Sequence, residues 1–188
     1  NKKAMQKLNQ YRKNKSKPFF LWKLYFAEVF QRQNPGFDVV IANPPYIRQE
    51  EIKEYKESLK RNYQIFTSMA DLYTYFYEQG INLAREKATL TFISSNKFMR
   101  ARYGLYLRNF LKHNTSICQI IDFGNKHMFE AITNTTVIIT KKGHTEHNQV
   151  RFSHNIAKQK IFVVAQEQLD ESAWTLADQD VLELKAKI

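Results

Sequence analysis

The stretch Phe37-Asp38-Val39-Val40-Ile41-Ala42-Asn43-Pro44-Pro45-Tyr46 decides the fold of this chain. Its first six residues form an apolar run that is typical of a buried strand. The two prolines cannot continue such a strand, because proline fixes φ and has no N–H to donate. We therefore expect a strand over residues 37–42 that ends in a rigid loop. Ligands of open α/β sheets bind outside the carboxyl ends of the strands, so this loop is the first candidate for a binding site.

The loop over residues 43–46 offers two hydrogen-bond acceptors and an aromatic face. The side-chain oxygen of Asn43 and the carbonyl of Pro44 would accept hydrogen bonds from the two N–H groups of an exocyclic amine. Such contacts localise the lone pair of the amine, which is otherwise delocalised into the ring, toward a methyl donor. Pro45 restricts the residue before it and so holds the Pro44 carbonyl in one direction. The ring of Tyr46 would stack on a planar base, a contact worth about 1–3 kcal/mol.

This pattern favours methylation of the amino group of a nucleobase. The simpler alternative is that Pro44 and Pro45 only end a strand and that Tyr46 packs on the surface. Asn before Pro is a common turn, so the dipeptide alone does not separate the two interpretations. The full tetrapeptide behind an apolar strand favours the functional one.

The composition fits one basic domain, with part of a second. A chain of 188 residues that is 43% hydrophobic and 14% aromatic is long and apolar enough to build a core. The formal net charge of +11 indicates a polyanionic partner, most simply nucleic acid. The basic residues concentrate in the first seventeen positions and recur in residues 48–61 and 97–108.

The composition also excludes several classes of protein. Cys118 is the only cysteine and lies in an apolar run, so we expect a buried thiol and no disulfide framework. The histidines are scattered along the sequence. His144 and His147 are close together, but no clustered set of metal ligands accompanies them, so no metal site is expected. No apolar stretch approaches membrane-spanning length and no secretory signal is visible, so we expect no membrane partner and a cytoplasmic location.

Strands and helices are predicted to alternate after the loop. A charged helical segment is expected over residues 50–62, and an amphipathic helix begins near Asp71. The apolar stripe of that helix holds Tyr73, Phe76, Tyr77, Gly80, Ile81 and Ala84. A further helix is expected over residues 103–112. Strands are predicted over residues 88–94, 116–122, 135–140, 149–152 and 161–164. The alternation predicts an α/β fold with a mostly parallel sheet and helices on its faces.

The stretch 37–46 resembles the catalytic motif of gamma-class adenine-N6 DNA methyltransferases, most closely those in single-chain type IIG restriction–modification enzymes. Further motifs keep the order and spacing of that family. They are Asp71-Leu72-Tyr73 with Phe76, Phe92-Ile93-Ser94-Ser95-Asn96-Lys97-Phe98, Leu107-Arg108-Asn109-Phe110-Leu111, Ile120-Ile121-Asp122-Phe123-Gly124, and Phe129 ahead of residues 135–141. The resemblance spans about residues 19–143, and the ordered set is far more specific than the tetrapeptide alone.

The resemblance implies S-adenosylmethionine as the methyl donor. It implies as target an adenine that is flipped out of duplex DNA, since a paired amino group cannot be attacked. It assigns Asn43, Pro44 and Pro45 to the handling of the amino group, and Tyr46 to stacking on the base. It places Phe129 against the other side or the edge of the base, with ordinary core packing as the alternative.

The donor-binding part of the family pattern is the part that this sequence matches least. Asp71 and Tyr73 would border the donor pocket, although Asp71 equally suits a plain helix N-terminus. The family's glycine-rich donor loop and the acidic residue that follows its second strand are absent, and both would lie upstream of Asn1. The segment Arg85-Glu86-Lys87, read as the turn before the next strand, lacks the glycine that is usual there.

These features predict three segments. Residues 1–18 form a basic linker or helix, residues 19–143 form the catalytic half of a methyltransferase domain, and residues 144–188 begin a target-recognition region. The catalytic half would hold the C-terminal half of a Rossmann-like methyltransferase sheet with flanking helices. The chain begins with Asn and ends in a charged, helix-like stretch, so we expect a piece of a longer polypeptide that is inactive by itself.

Other functions fit the same tetrapeptide. The acceptor would then be cytosine N4, an adenine in RNA, or a glutamine in a protein. The charge and the ordered downstream motifs favour DNA adenine. A function of another class is that of a DNA-binding fragment without catalysis.

Overall fold

The computed structural model describes Gln6 and residues 20–124, 134–154, 161–169 and 173–174. The chain divides into two compact units, residues 1–35 and residues 36–188. The first unit holds two short helices, α1 (Trp22–Tyr25) and α2 (Ala27–Phe30), and the aromatic rings of α1 contact those of Phe20 and Phe26 beside it. Phe20 stacks on Tyr25 there, with ring centroids 4.6 Å apart.

The second unit alternates strands and helices along the chain. In order, its elements are β1 (Phe37–Ala42), a 3₁₀ helix (Lys53–Tyr55), α3 (Lys56–Asn62), α4 (Leu72–Leu83), β2 (Ala84–Ser95), α5 (Lys97–Arg100), a 3₁₀ helix (Arg102–Gly104), α6 (Leu105–Asn114), β3 (Thr115–Asp122), β4 (Thr135–Lys142), β5 (Gln149–Ser153), β6 (Phe162–Ala165) and a 3₁₀ helix (Gln166–Gln168).

The six described strands form one sheet in the order β1-β2-β4-β3-β5-β6. β1 pairs parallel with β2, and β3 pairs parallel with β5. β4 runs antiparallel to both β2 and β3, and β6 runs antiparallel to β5. Four strands therefore share one direction. The sheet predicted to be mostly parallel is a mixed one, because β4 and β6 run opposite to the other four described strands.

Helices α4 and α6 pack against the sheet through buried apolar side chains. α4 contacts β2, and α6 contacts β3. The fully buried large side chains of these elements include Tyr73, Tyr77, Leu90, Phe92, Leu107, Leu111, Ile117 and Ile120. Removing this apolar surface from water, at about 25 cal/mol per Å², is the main force that holds the helices in place. Gly80 allows α4 to approach the sheet closely: a β-carbon at this position would stand only 2.7 Å from the ring of Phe92 in β2.

The predicted first strand is confirmed, but it is not a buried one. β1 lies at one end of the described sheet, and only one of its faces packs against the core. Val40 and Ala42 lie on that face, whereas Val39 is 55% and Ile41 76% exposed. The apolar run therefore predicted the strand correctly but its burial incorrectly. A run of this length indicates a strand, but it does not indicate whether another element covers both faces of that strand.

The second strand is longer than predicted. β2 begins at Ala84, so Arg85-Glu86-Lys87 belongs to the strand and is not a turn ahead of it. The pairing with β1 is irregular at this point: β1 advances from Phe37 to Val39 while β2 advances from Ala84 to Thr89. Lys87, which lies in this irregular part, has φ of 63°. The segment that lacks the glycine of the family pattern thus contains a lysine in a left-handed conformation.

Smaller differences concern the helices. The predicted charged helix over residues 50–62 is helical only from Lys53, first as a 3₁₀ turn and then as α3. In α4 the predicted stripe is confirmed at Tyr73, Tyr77, Gly80 and Ile81, but Phe76 is 38% exposed. No helix within the described ranges is long and apolar enough to span a membrane.

The segment after residue 144 contributes to the same sheet. The two short predicted strands are confirmed as β5 and β6, each within one residue of the predicted bounds; β5 pairs with β3 and β6 pairs with β5. The division of the chain at residues 18 and 143, with a target-recognition region beginning at 144, stays a prediction. Cys118 is half-exposed and not buried, because it stands at a register shift in β3 between Ile117 and Gln119.

Candidate active site

The loop 43–46 lies at the edge of the sheet where β1, β2 and β3 end. Ala42, the last residue of β1, pairs with Phe92 near the end of β2. β3 runs in the same direction and ends at Asp122, so its carboxyl end reaches the same edge. The predicted position of the loop at the carboxyl edge is therefore confirmed.

Asn43 is accessible to solvent at this edge. Asn43 is exposed, Pro44 is buried and Pro45 is exposed. Within the described part of the chain, neither the side-chain oxygen of Asn43 nor the carbonyl of Pro44 accepts a hydrogen bond. Both are acceptors that a ligand with N–H groups would satisfy.

Tyr46 is held between the sheet and α4. Its hydroxyl donates a long hydrogen bond of 3.5 Å to the carbonyl of Ile93 in β2. Its ring centroid lies 6.4 Å from that of Tyr73, at an interplanar angle of 45°. Burial raises the pKa of Tyr46 above its ordinary value, so the ring is a neutral phenol at physiological pH.

A set of buried phenols supports the loop from below. The hydroxyls of Tyr73 and Tyr103 are 3.0 Å apart, and those of Tyr77 and Ser94 are 2.7 Å apart. Burial, with a smaller effect of Tyr103, raises the pKa of Tyr73 well above its ordinary value. Burial also raises the pKa of Tyr77 and of Tyr103. These phenols stay neutral at physiological pH, and each hydroxyl has a hydrogen-bond partner. The tyrosine rings therefore form an uncharged surface under Tyr46.

The residues that follow Tyr46 are tied to the start of α4. The N–H of Gln49 donates to a carboxylate oxygen of Asp71 at 3.0 Å, and the N–H of Leu72 donates to the carbonyl of Ile47 at 2.9 Å. Asp71 stands at the N-cap position of α4, but its side chain makes no capping hydrogen bond to that helix. The structure thus gives Asp71 a part in fixing the loop, which neither expectation from the sequence had included.

A second polar group at this edge, formed around Asp122, was not predicted from the sequence. Asp122, 1% exposed, accepts hydrogen bonds from the side chain of Asn96 at 2.8 Å and from the N–H of Gly124 at 3.0 Å. Arg100 completes the group with a contact of 3.2 Å to the other carboxylate oxygen. The available signal was that Asn96 follows one apolar strand and Asp122 ends another, which places both at the carboxyl edge if the two strands run in the same direction.

Of the predicted site residues, the structure brings Asn43, Pro44, Pro45 and Tyr46 together with Asp71 and Tyr73. Phe129 lies outside the described residues. Within the described ranges, no three His, Cys, Asp or Glu side chains come close enough to hold a metal ion. The roles of these residues in binding or catalysis stay predictions.

The four strands of one direction, the helices that pack on the sheet and the Asn-Pro-Pro-Tyr loop at the carboxyl edge define the class of protein. It is the C-terminal half of a Rossmann-like methyltransferase sheet with flanking helices. The chain belongs to the Eco57I restriction-modification methylase family, whose sequence profile matches residues 1–129.

Curated relatives and a solved structure agree with this family. The chain is 35% identical over 113 residues to the type II methyltransferase M.BstVI of Geobacillus stearothermophilus, covering 60% of this chain and 19% of the relative. It is 28% identical over 120 residues to the type II restriction enzyme and methyltransferase RM.Eco57I of Escherichia coli, covering 62% of this chain and 12% of the relative. The type IIG restriction endonuclease BpuSI has a similar fold, with a TM-score of 0.53 and 19% identity over 70% of this chain and 19% of that one. The matched part is thus about a fifth of these proteins or less.

Proposed function

We propose that this chain is the base-handling half of an enzyme that transfers a methyl group from S-adenosylmethionine to N6 of an adenine in duplex DNA. The enzyme would be a longer protein, part of a cytoplasmic restriction–modification system. One observation carries the proposal. In a chain of this family, two acceptors without partners in the described residues, at Asn43 and Pro44, stand beside a fixed aromatic ring at the carboxyl edge of the sheet.

The chemistry follows from the two acceptors. The oxygens of Asn43 and Pro44 accept hydrogen bonds from the two N–H groups of the adenine amine, which draws the lone pair of N6 out of the ring. When bound, S-adenosylmethionine supplies an electrophilic methyl group whose bond to sulfur breaks with the electron pair going to sulfur. As the N–C bond forms, N6 becomes positively charged, and the same two oxygens stabilise its N–H groups until one proton passes to solvent. Tyr46 holds the base in place by stacking.

Of the two residues proposed for the donor pocket, Asp71 fits that role better than Tyr73. Asp71 is half-buried, and its Oδ2 accepts no hydrogen bond within the described residues, so this oxygen suits a contact with the donor. Tyr73 is 1% exposed and bonded to Tyr103, so it suits only a supporting position. The main donor site would lie in the remainder of the longer protein, and the isolated chain would be inactive. The small share of each relative that this chain spans supports this view.

The charge supports DNA as the partner. A net charge of +11 favours a polyanion over a glutamine side chain in a protein. Cytosine N4 and RNA adenine carry similar amines, so the choice among nucleic-acid acceptors rests on the family. A purely DNA-binding role for the chain is the competing function, and it predicts that loss of Asn43 changes nothing in the product.

Substitution of Asn43 tests the proposal. The longer protein is incubated with duplex DNA and S-adenosylmethionine, and the nucleosides are then separated and identified by mass spectrometry. We expect N6-methyladenine from the wild type and a rate at least about 100-fold lower from Asn43→Ala, the size of effect seen when one preorganised polar contact to the reacting group is lost. The affinity for duplex DNA should stay nearly unchanged.

Asn82→Ala is the matched control, because Asn82 is an exposed asparagine at the far end of α4. It should methylate like the wild type, and the isolated 188-residue chain should give no product. Unchanged turnover in Asn43→Ala would remove Asn43 from the reaction. N4-methylcytosine as the product would replace adenine by cytosine as the target.

A further inference from the structure

A basic segment, residues 97–104, follows β2 at the same edge as the loop 43–46. It consists of α5 and the 3₁₀ helix after it. Lys97, Arg100 and Arg102 are its exposed side chains with positive charge. No acidic residue lies within the segment, so its outer surface is positive.

The basic segment is fixed to the core. Phe98 and Met99 are completely buried, and the N–H of Trp174 donates to the carbonyl of Met99 at 2.8 Å. The buried guanidinium of Arg108 donates from Nη1 to the carbonyls of Phe98 and Ala101, at 2.6 Å and 2.9 Å. The exposed cations therefore stand on a backbone that is held in place, unlike those of a mobile loop.

Arg100 is the most constrained of the three cations. One of its terminal nitrogens contacts Asp122 at 3.2 Å, and the Asp122 side chain is 1% exposed whereas that of Arg100 is 57% exposed. Asn96 and Gly124 saturate the other oxygen of the carboxylate. The carboxylate thus fixes Arg100 from inside, while the remaining N–H groups of the guanidinium face solvent.

The basic segment is linked to the loop 43–46 through the side chain of Tyr73 in α4. The ring of Tyr73 lies between Tyr46 and Phe98, with centroid distances of 6.4 Å and 6.5 Å. The hydroxyl of Tyr73 also contacts that of Tyr103, within the basic segment, at 3.0 Å. A nucleic-acid strand that delivers a base to Tyr46 would therefore pass close to the basic segment.

We propose that Arg100, held by Asp122, binds a backbone phosphate of the DNA strand that carries the target base, with Lys97 and Arg102 on neighbouring phosphates. This inference rests on the proposed function and names the surface that the DNA contacts. A guanidinium suits the site because its planar fork binds two phosphate oxygens at once. Because Asp122 already orients it, Arg100 loses less conformational freedom on binding than an unsupported arginine.

The test is the salt dependence of DNA binding, measured without the methyl donor. The longer protein is titrated with a fluorescent duplex at several salt concentrations, followed by anisotropy. Arg100→Gln should weaken binding several-fold and reduce the slope of log affinity against log salt by about one. Arg100→Lys keeps the charge without the fork and should bind with an affinity between those of Arg100→Gln and the wild type.

Lys141→Gln is the matched control. Lys141 is exposed and lies near the carboxyl end of β4, which runs antiparallel to β2, so it stands toward the edge of the sheet opposite to Arg100. It should bind like the wild type. An unchanged slope in Arg100→Gln, or an equal loss in Lys141→Gln, would overturn the assignment of the phosphate site. Wild-type affinity in Arg100→Lys would overturn the role of the guanidinium and of Asp122.

The measurement separates this inference from the proposed function. It involves no chemistry, so a different methylated product would leave it intact. If the wild type binds duplex DNA and methylates adenine while Arg100→Gln behaves like the wild type, only this inference fails. If the wild type shows no salt-dependent binding, the proposed function fails with it.

Discussion

At the scale of single residues, Lys87 shows how a local irregularity is absorbed by the fold. Its φ of 63° falls within β2, where the pairing with β1 skips several residues of β2. A residue with a β-carbon in the left-handed region costs about 1–2 kcal/mol, a cost that glycine avoids. Lys87 is exposed, so its side chain gains no burial in return.

Lys87→Gly should therefore stabilise the protein, by about 1 kcal/mol after the greater flexibility of glycine in the unfolded state is subtracted. Urea denaturation would show a higher midpoint with an unchanged slope. Lys87→Ala keeps the β-carbon and serves as the control, with no gain expected. A destabilised Lys87→Gly would mean that the lysine side chain, and not its backbone, is what matters at this position.

At the scale of one element, α4 carries three tyrosines that point into the protein. Tyr73, Tyr75 and Tyr77 are each at most 2% exposed. Burial raises the pKa of Tyr75 to about 12, against the effect of its hydrogen bond to Thr67, and it raises the pKa of Tyr73 and Tyr77 as well. The folded state therefore keeps protons that the unfolded chain, with phenol pKa values of about 10, releases earlier.

The sign of the pH effect follows from this difference. The stability due to these tyrosines is fully present below about pH 10 and is lost as pH rises toward the folded pKa values, because the unfolded state then binds fewer protons. We expect the free energy of unfolding to fall steeply above about pH 10. In Tyr75→Phe the fall should be shallower by up to about 1.4 kcal/mol per pH unit. Denaturation curves at alkaline pH, with phenolate absorbance as the second probe, would test it, and a flat stability profile would contradict it.

At the scale of the whole second unit, Gln166 joins the last described strands to the rest of the sheet. It is completely buried, and both ends of its amide are used. Its oxygen accepts from Ile117 N–H and from the Asn148 side chain, at 2.8 Å and 2.7 Å. Its nitrogen donates to the carbonyls of Lys112 and Thr115, at 2.8 Å and 2.7 Å. One side chain thus connects the end of α6, the start of β3 and the region of β5 and β6.

Gln166→Ala should leave several buried backbone groups without partners. At about 1–3 kcal/mol for each unsatisfied group, we expect a loss of stability of at least about 3 kcal/mol. Thermal unfolding followed by circular dichroism would measure it. Gln168→Ala, an exposed glutamine in the same 3₁₀ helix, should have a small effect. A loss below that of Gln168→Ala would show that β5 and β6 dock independently of this contact.

The sequence predicted those features that depend on neighbours along the chain. The strand before Asn43, its rigid end at two prolines and the apolar stripe of α4 all follow from local spacing, and the structure has them. The contacts of Asn96 and Arg100 with Asp122 were not predicted, because Asp122 is 26 and 22 residues away from them in sequence. The ends of two apolar strands indicated a shared edge of the sheet, but the strand order that decides which side chains meet there does not follow from local sequence. The sequence offered no partner for β5 for the same reason.

The hydrogen bond between Tyr46 and Ile93, together with the contact on Tyr73, has a consequence for recognition. The ring of Tyr46 is already oriented before any ligand binds. Its rotational freedom is therefore lost on folding and not on binding. A mobile ring in the same place would have to be ordered by each incoming molecule, and that ordering would weaken affinity. In the proposed function, this ring would therefore favour flat ligands by shape, before any polar group contacts them.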